Sequence, residues 1–341
     1  MSIQTLADSL GLSISTVSRA LNGYTDVSAA TRSRVQAAAL AMNYRPDPMA
    51  HRLATGRTGA VALVFTASAD NRQDYAMASL MSGATQEMRQ HKFFTMALWL
   101  PSGDQELPEL DRLLSARLVD GIMLVRPDTF DGRVALLQKR NIAFATYGRT
   151  IDNAPHAWVD IDNVNAVAEA TTHLVSLGHR RIALMTGTSG MSFAVHRQQG
   201  FELGLRAAGI DLATCPVVHA ALTKTAGLQA ATQLLKRSAA TRPSAFVCVT
   251  EALALGVYQA AQTMGLRIGR EVSVIGFGNG NQADFADPPL ASIDLAILAS
   301  GRNLARTLLQ VIQSPTAAPP HHLDTPTLVL RASVGPCYAA A

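Results

Sequence analysis

Apolar residues near the N-terminus recur at helical spacing. Ile3, Leu6, Ala7 and Leu10 fall at i, i+3, i+4 and i+7, the one-sided stripe of a short amphipathic helix. Gly11 stops it, and Leu12-Ser13 completes a tight turn. Ser13 is placed to N-cap a second helix running through Leu21, with Val17, Ala20 and Leu21 as its apolar face. Asn22-Gly23 ends that helix, and Ser28 caps a third whose inward face reads Val35, Ala38, Ala39, Met42. Pro46 then forces an extended approach, Asp47 can N-cap and Pro48 suits a first helical position. A helix over Pro48–Ala54 puts Met49 and Leu53 on one face. It has less than two turns, so it needs a partner to form in water.

From Gly59 onward the pattern changes. Continuous apolar runs (Ala60–Phe65, Phe93–Leu100, Gly121–Val125, Ile142–Tyr147, Arg181–Met185, Ala245–Val249, Ser273–Phe277) alternate with helical stretches such as Ala76–Gln90, Arg133–Arg140, Val164–Leu177, Ala194–Ala208, Ala226–Leu235 and Ala252–Met264. Apolar strands alternating with helices predict buried parallel sheets, hence an α/β fold. The strands are too many for one compact unit, so two doubly wound parallel-sheet lobes are expected behind a small all-α domain, with ligands at the carboxyl ends of strands.

Three short helices, the first two joined by a three-residue turn containing Gly, form a helix-turn-helix pattern. In that geometry the first turns of the second helix meet base edges in the major groove. Arg19 suits bidentate contact with guanine, Ser15 is a tolerant hydrogen-bond partner, and Ile14 suits a thymine methyl. Thr5, Ser13, Thr16, Ser18, Asn22, Ser28 and Thr31 are short polar groups suited to phosphates. On pattern alone the same helices also fit a plain three-helix bundle with one polar face.

Charge sharpens the choice. The 341-residue chain carries 29 Lys plus Arg against 25 Asp plus Glu, a net +4 too small to signal nucleic acid by itself. Residues 1–58 hold six arginines against three aspartates, so +3 sits in one sixth of the chain, all of it Arg. Residues 59–341 carry only +1. Charged residues are 16% and hydrophobic ones 48%, which excludes a disordered or fibrous chain. Cys215, Cys248 and Cys337 form neither a disulfide framework nor a metal-ligand spacing. No secretory leader and no apolar run of membrane-spanning length is visible, so a cytoplasmic protein is expected. Gly187-Thr188-Ser189-Gly190 and Gly276-Phe277-Gly278-Asn279-Gly280 complete neither a dinucleotide fingerprint nor a P-loop. His321-His322 reads as a linker rather than a metal site. No catalytic motif stands out, and neither enzyme activity nor a cofactor is expected.

The run Thr5-Leu6-Ala7, Gly11 through Gly23, Val27-Ser28, Thr31-Arg32, Val35 and Asn43-Tyr44-Arg45-Pro46 resembles the headpiece of the LacI family of bacterial repressors. The likeness continues through Val119-Asp120-Gly121-Ile122, Val159-Asp160-Ile161-Asp162-Asn163, Leu177-Gly178-His179-Arg180-Arg181-Ile182-Ala183, Arg197-Gln198-Gln199-Gly200-Phe201, Ser273-Val274-Ile275-Gly276-Phe277 and Pro288-Pro289-Leu290. It implies a helix-turn-helix domain over 1–46 and a hinge helix with linker over 47–58. A periplasmic-binding-protein-like core follows, one lobe being 59–160 plus 292–320 and the other 161–291 plus 321–338. The resemblance makes the hinge residues Met49, His51 and Leu53 DNA contacts, with the Leu53 pair of a homodimer wedged between base steps in the minor groove. The short tail after Val334, without heptads, favours a dimer over a tetramer.

The resemblance also places a small effector between the lobes. Arg197 matches the position whose guanidinium grips the ligand, after a turn containing Phe193. Read as residues alone, it also suits a structural ion pair. Tyr147-Gly148-Arg149 and Trp158 resemble a subgroup sensing α-glucosides or α-galactosides. Trp158 suits stacking on a pyranose ring, or plain core packing. Phe277 ends the corresponding strand of the second lobe. Two departures weaken the likeness. Thr250-Glu251 stands where the family has Asn-Asp, and Gly278-Asn279 stands where an Asp is usual, so Glu251 and Asn279 are the replacements at hand. The expected protein is a repressor of operator double-stranded DNA released by a sugar. The alternative is a regulator whose DNA binding is strengthened by a nucleobase or phosphorylated metabolite.

Overall fold

The computed structural model describes residues 2–44, 57–67, 75–188, 190–278 and 280–337. The chain divides into two compact units, Met1–Thr58 and Gly59–Ala341.

Among its described residues the first unit holds three helices, α1 (Ile3–Leu10), α2 (Ile14–Leu21) and α3 (Ala29–Ala41). Each starts at a serine. Ser2, Ser13 and Ser28 accept from the backbone N–H of Thr5, Thr16 and Thr31 in turn. Gly11 closes α1 at φ 62°, a left-handed conformation that glycine adopts without steric cost. Leu6, Ala7, Val17, Ala20, Val27, Val35 and Ala39 form its core. The expected stripe of α3 is met at Val35 and Ala39, while Ala38 and Met42 are only partly covered. The expected helix over 48–54, with Met49, His51 and Leu53, lies outside the described residues.

The second unit contains two six-stranded sheets. In chain order its elements are β1 (Ala60–Ala67), α4 (Tyr75–Gln90), β2 (Phe94–Pro101), α5 (Glu106–Ser115), β3 (Gly121–Val125), α6 (Gly132–Lys139), β4 (Phe144–Tyr147), β5 (Ala157–Ile161), α7 (Asn163–Ser176), β6 (Ile182–Thr186), α8 (Ser192–Ala207), β7 (Val217–His219), α9 (Lys224–Leu235), β8 (Ala245–Cys248), α10 (Glu251–Thr263), β9 (Ser273–Gly278), α11 (Asn281–Phe285), β10 (Ala291–Asp294), α12 (Ile297–Gln313), β11 (His321–Asp324) and β12 (Thr327–Val329). The first sheet runs β11-β5-β4-β3-β1-β2, all parallel. The second runs β12-β10-β9-β8-β6-β7, antiparallel only at β12. This is the expected pair of doubly wound lobes.

Continuous apolar strands arise because both sheet faces are covered. Along β1, Val61, Leu63 and Phe65 share a core with Leu80 and Met88 of α4 and Leu304 of α12. Ala62 and Val64 face the other way, toward Leu110 of α5 and Val134 and Leu137 of α6. Helices α4 and α12 touch backbone to backbone. A Cβ on Gly83 would stand 2.0 Å from the Leu298 carbonyl oxygen, and one on Gly301 would stand 2.1 Å from that of Leu80.

Two of the expected lobe boundaries need correction. Residues 292–294 were assigned to the first lobe, but β10 pairs in parallel with β9 of the second sheet, Ala291 opposite Ile275. Residues 321–324 were assigned to the second lobe, but β11 pairs with β5 of the first, His321 opposite Trp158. Pro288-Pro289 and Pro319-Pro320 lie just before β10 and β11. His321-His322 is therefore sheet, not linker. Imidazole and indole of His321 and Trp158 stack 4.6 Å apart, while His322 faces Asp324 at 2.8 Å.

Candidate nucleic-acid interface and candidate effector cleft

In the first unit α2 buries Val17 and Ala20, which turns Ile14, Ser15 and Arg19 outward. Ile14 is 41% exposed. The Ser13 hydroxyl lies 2.8 Å from those of both Ser15 and Thr16. That of Ser28 lies 2.8 Å from Thr31, and that of Thr5 lies 3.0 Å from Ser2. Asn22 donates to the Ser18 hydroxyl at 3.4 Å. The hydroxyls of Ser2, Thr5, Ser13, Thr16, Ser28 and Thr31 cluster at helix N-termini, where unsatisfied N–H groups and the helix dipole favour phosphate, while Ser18 and Asn22 lie toward the C-terminal end of α2. Arg19 is held by Asp26, N to O 2.7 Å, with its guanidinium 5.4 Å from the Tyr24 ring centre. Sequence spacing does not show this pair, because Asp26 lies seven residues on, in the loop after α2.

In the second unit the effector candidates gather at the carboxyl ends of strands, as the fold requires. Arg197, on the second turn of α8, is 7% exposed. It donates to Asn163 Oδ1 and to the Val249 carbonyl, each at 2.7 Å. Its guanidinium carbon lies 3.5 Å from the centre of the Phe277 ring and 4.8 Å from that of Phe193. Among the described residues no carboxylate stands within ion-pair distance of it, so the structural ion pair that the sequence left open is not what holds it. Burial lowers its pKa to about 9.

Asp160, at the end of β5, was missed as a site residue. Its Oδ1 accepts from the Ile161 N–H at 2.8 Å and from Asn163 at 3.2 Å, and Asn163 in turn orients Arg197. Its Oδ2 lies 2.9 Å from Arg149 Nε, an ion pair whose angles fall short of a hydrogen bond. Burial raises Asp160 to about 6 despite the attraction of Arg149.

At the ends of β4 and β6 and on α8, four further buried polar atoms have no protein hydrogen-bond partner of good geometry: Tyr147 Oη, which has the Ser300 hydroxyl nearby, Thr186 Oγ1, Ser192 Oγ and His196 Nδ1. Each left unsatisfied costs on the order of 1–3 kcal/mol. Tyr147 ends β4, Thr186 ends β6, and Ser192 and His196 lie on the first turns of α8. Burial raises the Tyr147 phenol above its ordinary range and lowers His196, which also feels Arg149 and Arg197. Of these only Tyr147 was singled out from sequence. Polar residues directly after apolar runs, such as Thr186 after Met185, were the available signal.

Trp158 does not present a bare ring to the cleft. His321 stacks on it, and Arg149 lies 5.5 Å from its centre. Glu251 binds the Gly280 N–H and so fixes the loop after β9, and burial raises its pKa. Asn279 lies outside the described residues. The lobes meet at the rim. Thr129 N–H donates to the Gly190 carbonyl at 2.8 Å and Ser192 N–H to that of Pro127 at 3.3 Å. A separate cavity of about 410 Å³, lined by Phe144, His156, Gln310 and Pro319 among others, opens at the amino ends of β4 and β5, away from this cleft. It holds none of the buried, unpartnered atoms.

Among the described residues no helix is long and apolar enough to cross a membrane, and no group of three His, Cys, Asp or Glu is placed to hold a metal.

Known proteins share this arrangement. Residues 2–47 match the family of bacterial regulatory proteins, lacI family, and residues 171–334 match the periplasmic binding protein-like domain. The chain is 33% identical to the HTH-type transcriptional regulator AglR of Rhizobium meliloti (strain 1021), over 98% of this chain and 95% of that one. It is 30% identical to RafR, an HTH-type transcriptional regulator of Escherichia coli, over 92% of each. Among solved structures, the transcriptional regulator CelR in complex with cellobiose superposes with a TM-score of 0.75 at 28% identity, covering 98% of this chain and 99% of that one. The lac repressor dimer bound to operator shares the fold, with a TM-score of 0.81 at 23% identity and the same coverage. These relatives are DNA-binding regulators rather than enzymes. By identity over nearly its whole length, the chain belongs to the LacI family of bacterial transcriptional regulators.

Proposed function

We propose that this regulator represses transcription as a homodimer on a pseudo-palindromic operator and is released when the inter-lobe cleft takes up a sugar, an α-glucoside or α-galactoside. The carrying observation is Arg197, a buried guanidinium held by two neutral oxygens and two aromatic rings. A buried cation without an anion is costly unless a ligand completes its shell. The surrounding unpartnered atoms favour a polyol over a phosphate. Asp160 is an acceptor that would repel an anion, while the Tyr147, Thr186 and Ser192 hydroxyls both give and accept hydrogen bonds. Cellobiose in the CelR structure supports a ligand of disaccharide size.

DNA contact is assigned to Thr5, Ser13, Ile14, Ser15, Thr16, Ser18, Arg19, Asn22, Ser28 and Thr31, with Met49, His51 and Leu53 following from the family resemblance. Dimerisation is supported by β2. It is an edge strand of its sheet, yet Phe94 is 79% exposed and Trp99 51%. Such an edge calls for a cover.

Calorimetric titration with maltose, melibiose, raffinose and cellobiose tests the effector. Maltose, melibiose or raffinose binds the wild type, and Arg197→Met loses it. No binding by any of these three α-linked sugars, binding of the β-linked cellobiose alone, or equal binding by the variant would sink the assignment.

A further inference from the structure

Strands β6, β8 and β9 lie side by side in the second sheet and start at the same end. The segments leading into them are 177–181, 236–244 and 264–272. Together they carry Arg180, Arg181, Lys236, Arg237, Arg242, Arg267 and Arg270 against one acid, Glu271. The whole of residues 59–341 has a net charge of only +1, so this rim is a strongly positive edge on a unit otherwise net negative.

Some of these cations have internal tasks. Arg180 donates to the Val175 carbonyl at the end of α7, Arg181 to the carbonyls of Arg242 and Ala239, and Arg267 pairs with Glu271. Helices α7, α9 and α10 also end here, and their C-terminal carbonyls attract cations. Lys236, Arg237, Arg242 and Arg270 remain. Lys236, Arg237 and Arg270 are exposed and Arg242 is half-buried. Toward β7 the edge is bounded by Asp211, whose carboxylate accepts from Ala213 N–H.

We infer that this rim is a second nucleic-acid contact, one that takes the phosphate backbone of duplex DNA. Two features favour DNA over an acidic protein. None of the three segments exposes a large apolar side chain, so the rim lacks the anchor that protein interfaces are built on. The side chains interleaved with the cations include the exposed hydroxyls of Ser238 and Thr241. Arginine with short hydroxyls is the composition of sequence-independent phosphate contact. The rim contains no base-reading helix, so it would hold non-operator DNA while the first unit reads the operator.

The test uses the full chain and a fluorescent mixed-sequence 20-bp duplex, followed by anisotropy at increasing salt. Ser15→Glu with Arg19→Glu disables the reading helix. This protein still binds the duplex at low salt. Adding Lys236→Ala, Arg237→Ala, Arg242→Ala and Arg270→Ala weakens that binding by at least about tenfold and lowers the salt slope by roughly 3 to 4. Lysine at all four positions restores it, and the melting temperature is unchanged throughout. Absence of duplex binding by the Ser15→Glu, Arg19→Glu protein, or binding that survives the four alanines, overturns the inference. So does capture of RNA or an acidic protein with no capture of duplex.

Discussion

The guanidinium of Arg197 rests 3.5 Å from the centre of the Phe277 ring, across from its two hydrogen bonds to Asn163 and Val249. A cation on an aromatic face gains about 2 kcal/mol when desolvated, well short of the cost of burying a charge. Arg197→Met is therefore expected to change unfolding free energy by no more than about 2 kcal/mol in either direction, since lost hydrogen bonds offset relieved burial. Sugar binding is lost at the same time. Urea unfolding alongside calorimetry checks both. A loss of stability beyond about 4 kcal/mol would mark Arg197 as structural.

Asp160 gives the cleft a pH signature. Burial holds it at about 6, above roughly 3.9 in an unfolded chain. Between those values the folded protein binds more protons than the unfolded one. Stability from this group therefore falls as pH rises through the window, by up to about 3 kcal/mol, and the full cost is present above pH 6. Asp160→Asn removes the titration, so its stability relative to wild type improves from pH 4 to pH 7. Parallel melting curves of the two proteins across that range would contradict this.

Arg19 and Asp26 form an exposed pair, 2.7 Å apart, worth at most about 1 kcal/mol of stability. DNA must take Arg19 from Asp26. Arg19→Ala is expected to cost roughly 1–3 kcal/mol of operator binding and relax discrimination at one or two positions per half-site. Asp26→Ala leaves folding nearly unchanged and tightens binding. Selection of operators from a random pool, followed by anisotropy, reads both, and weaker binding by Asp26→Ala would refute the competition.

Leu53→Ala is expected to weaken specific operator binding well over tenfold, as removal of an intercalating wedge should, with sugar affinity intact. Operator binding equal to wild type would show that Leu53 is not a wedge.

Gly301→Ala should destabilise the core unit. The added Cβ meets the Leu80 carbonyl at 2.1 Å, and backbone does not yield as a side-chain tip does. Forcing α4 and α12 apart costs on the order of 1–3 kcal/mol, visible as a lower urea midpoint. An unchanged midpoint would mean the helices part freely.

Much of this was legible in sequence because it is local. Ser13 and Ser28 announce their helices through cap chemistry, and strands covered on both faces read as unbroken apolar runs. Arg197, Phe193 and Phe277 were placed together by family resemblance. What escaped is non-local. Asp160 and Asn163 act on Arg197 across 34 and more residues, and β10 and β11 reveal their sheets only through pairing. For Trp158 the sequence offers only a large aromatic beside a cleft, since its stacking partner His321 is distant in sequence.

A crystal structure with the sugar identified by calorimetry tests the central claim most directly. The account predicts electron density between the lobes, with sugar hydroxyls in hydrogen-bond contact with Arg197 and Asp160. Density confined to the cavity near Phe144 and His156, or a cleft in which Arg197 touches no sugar atom, would contradict it.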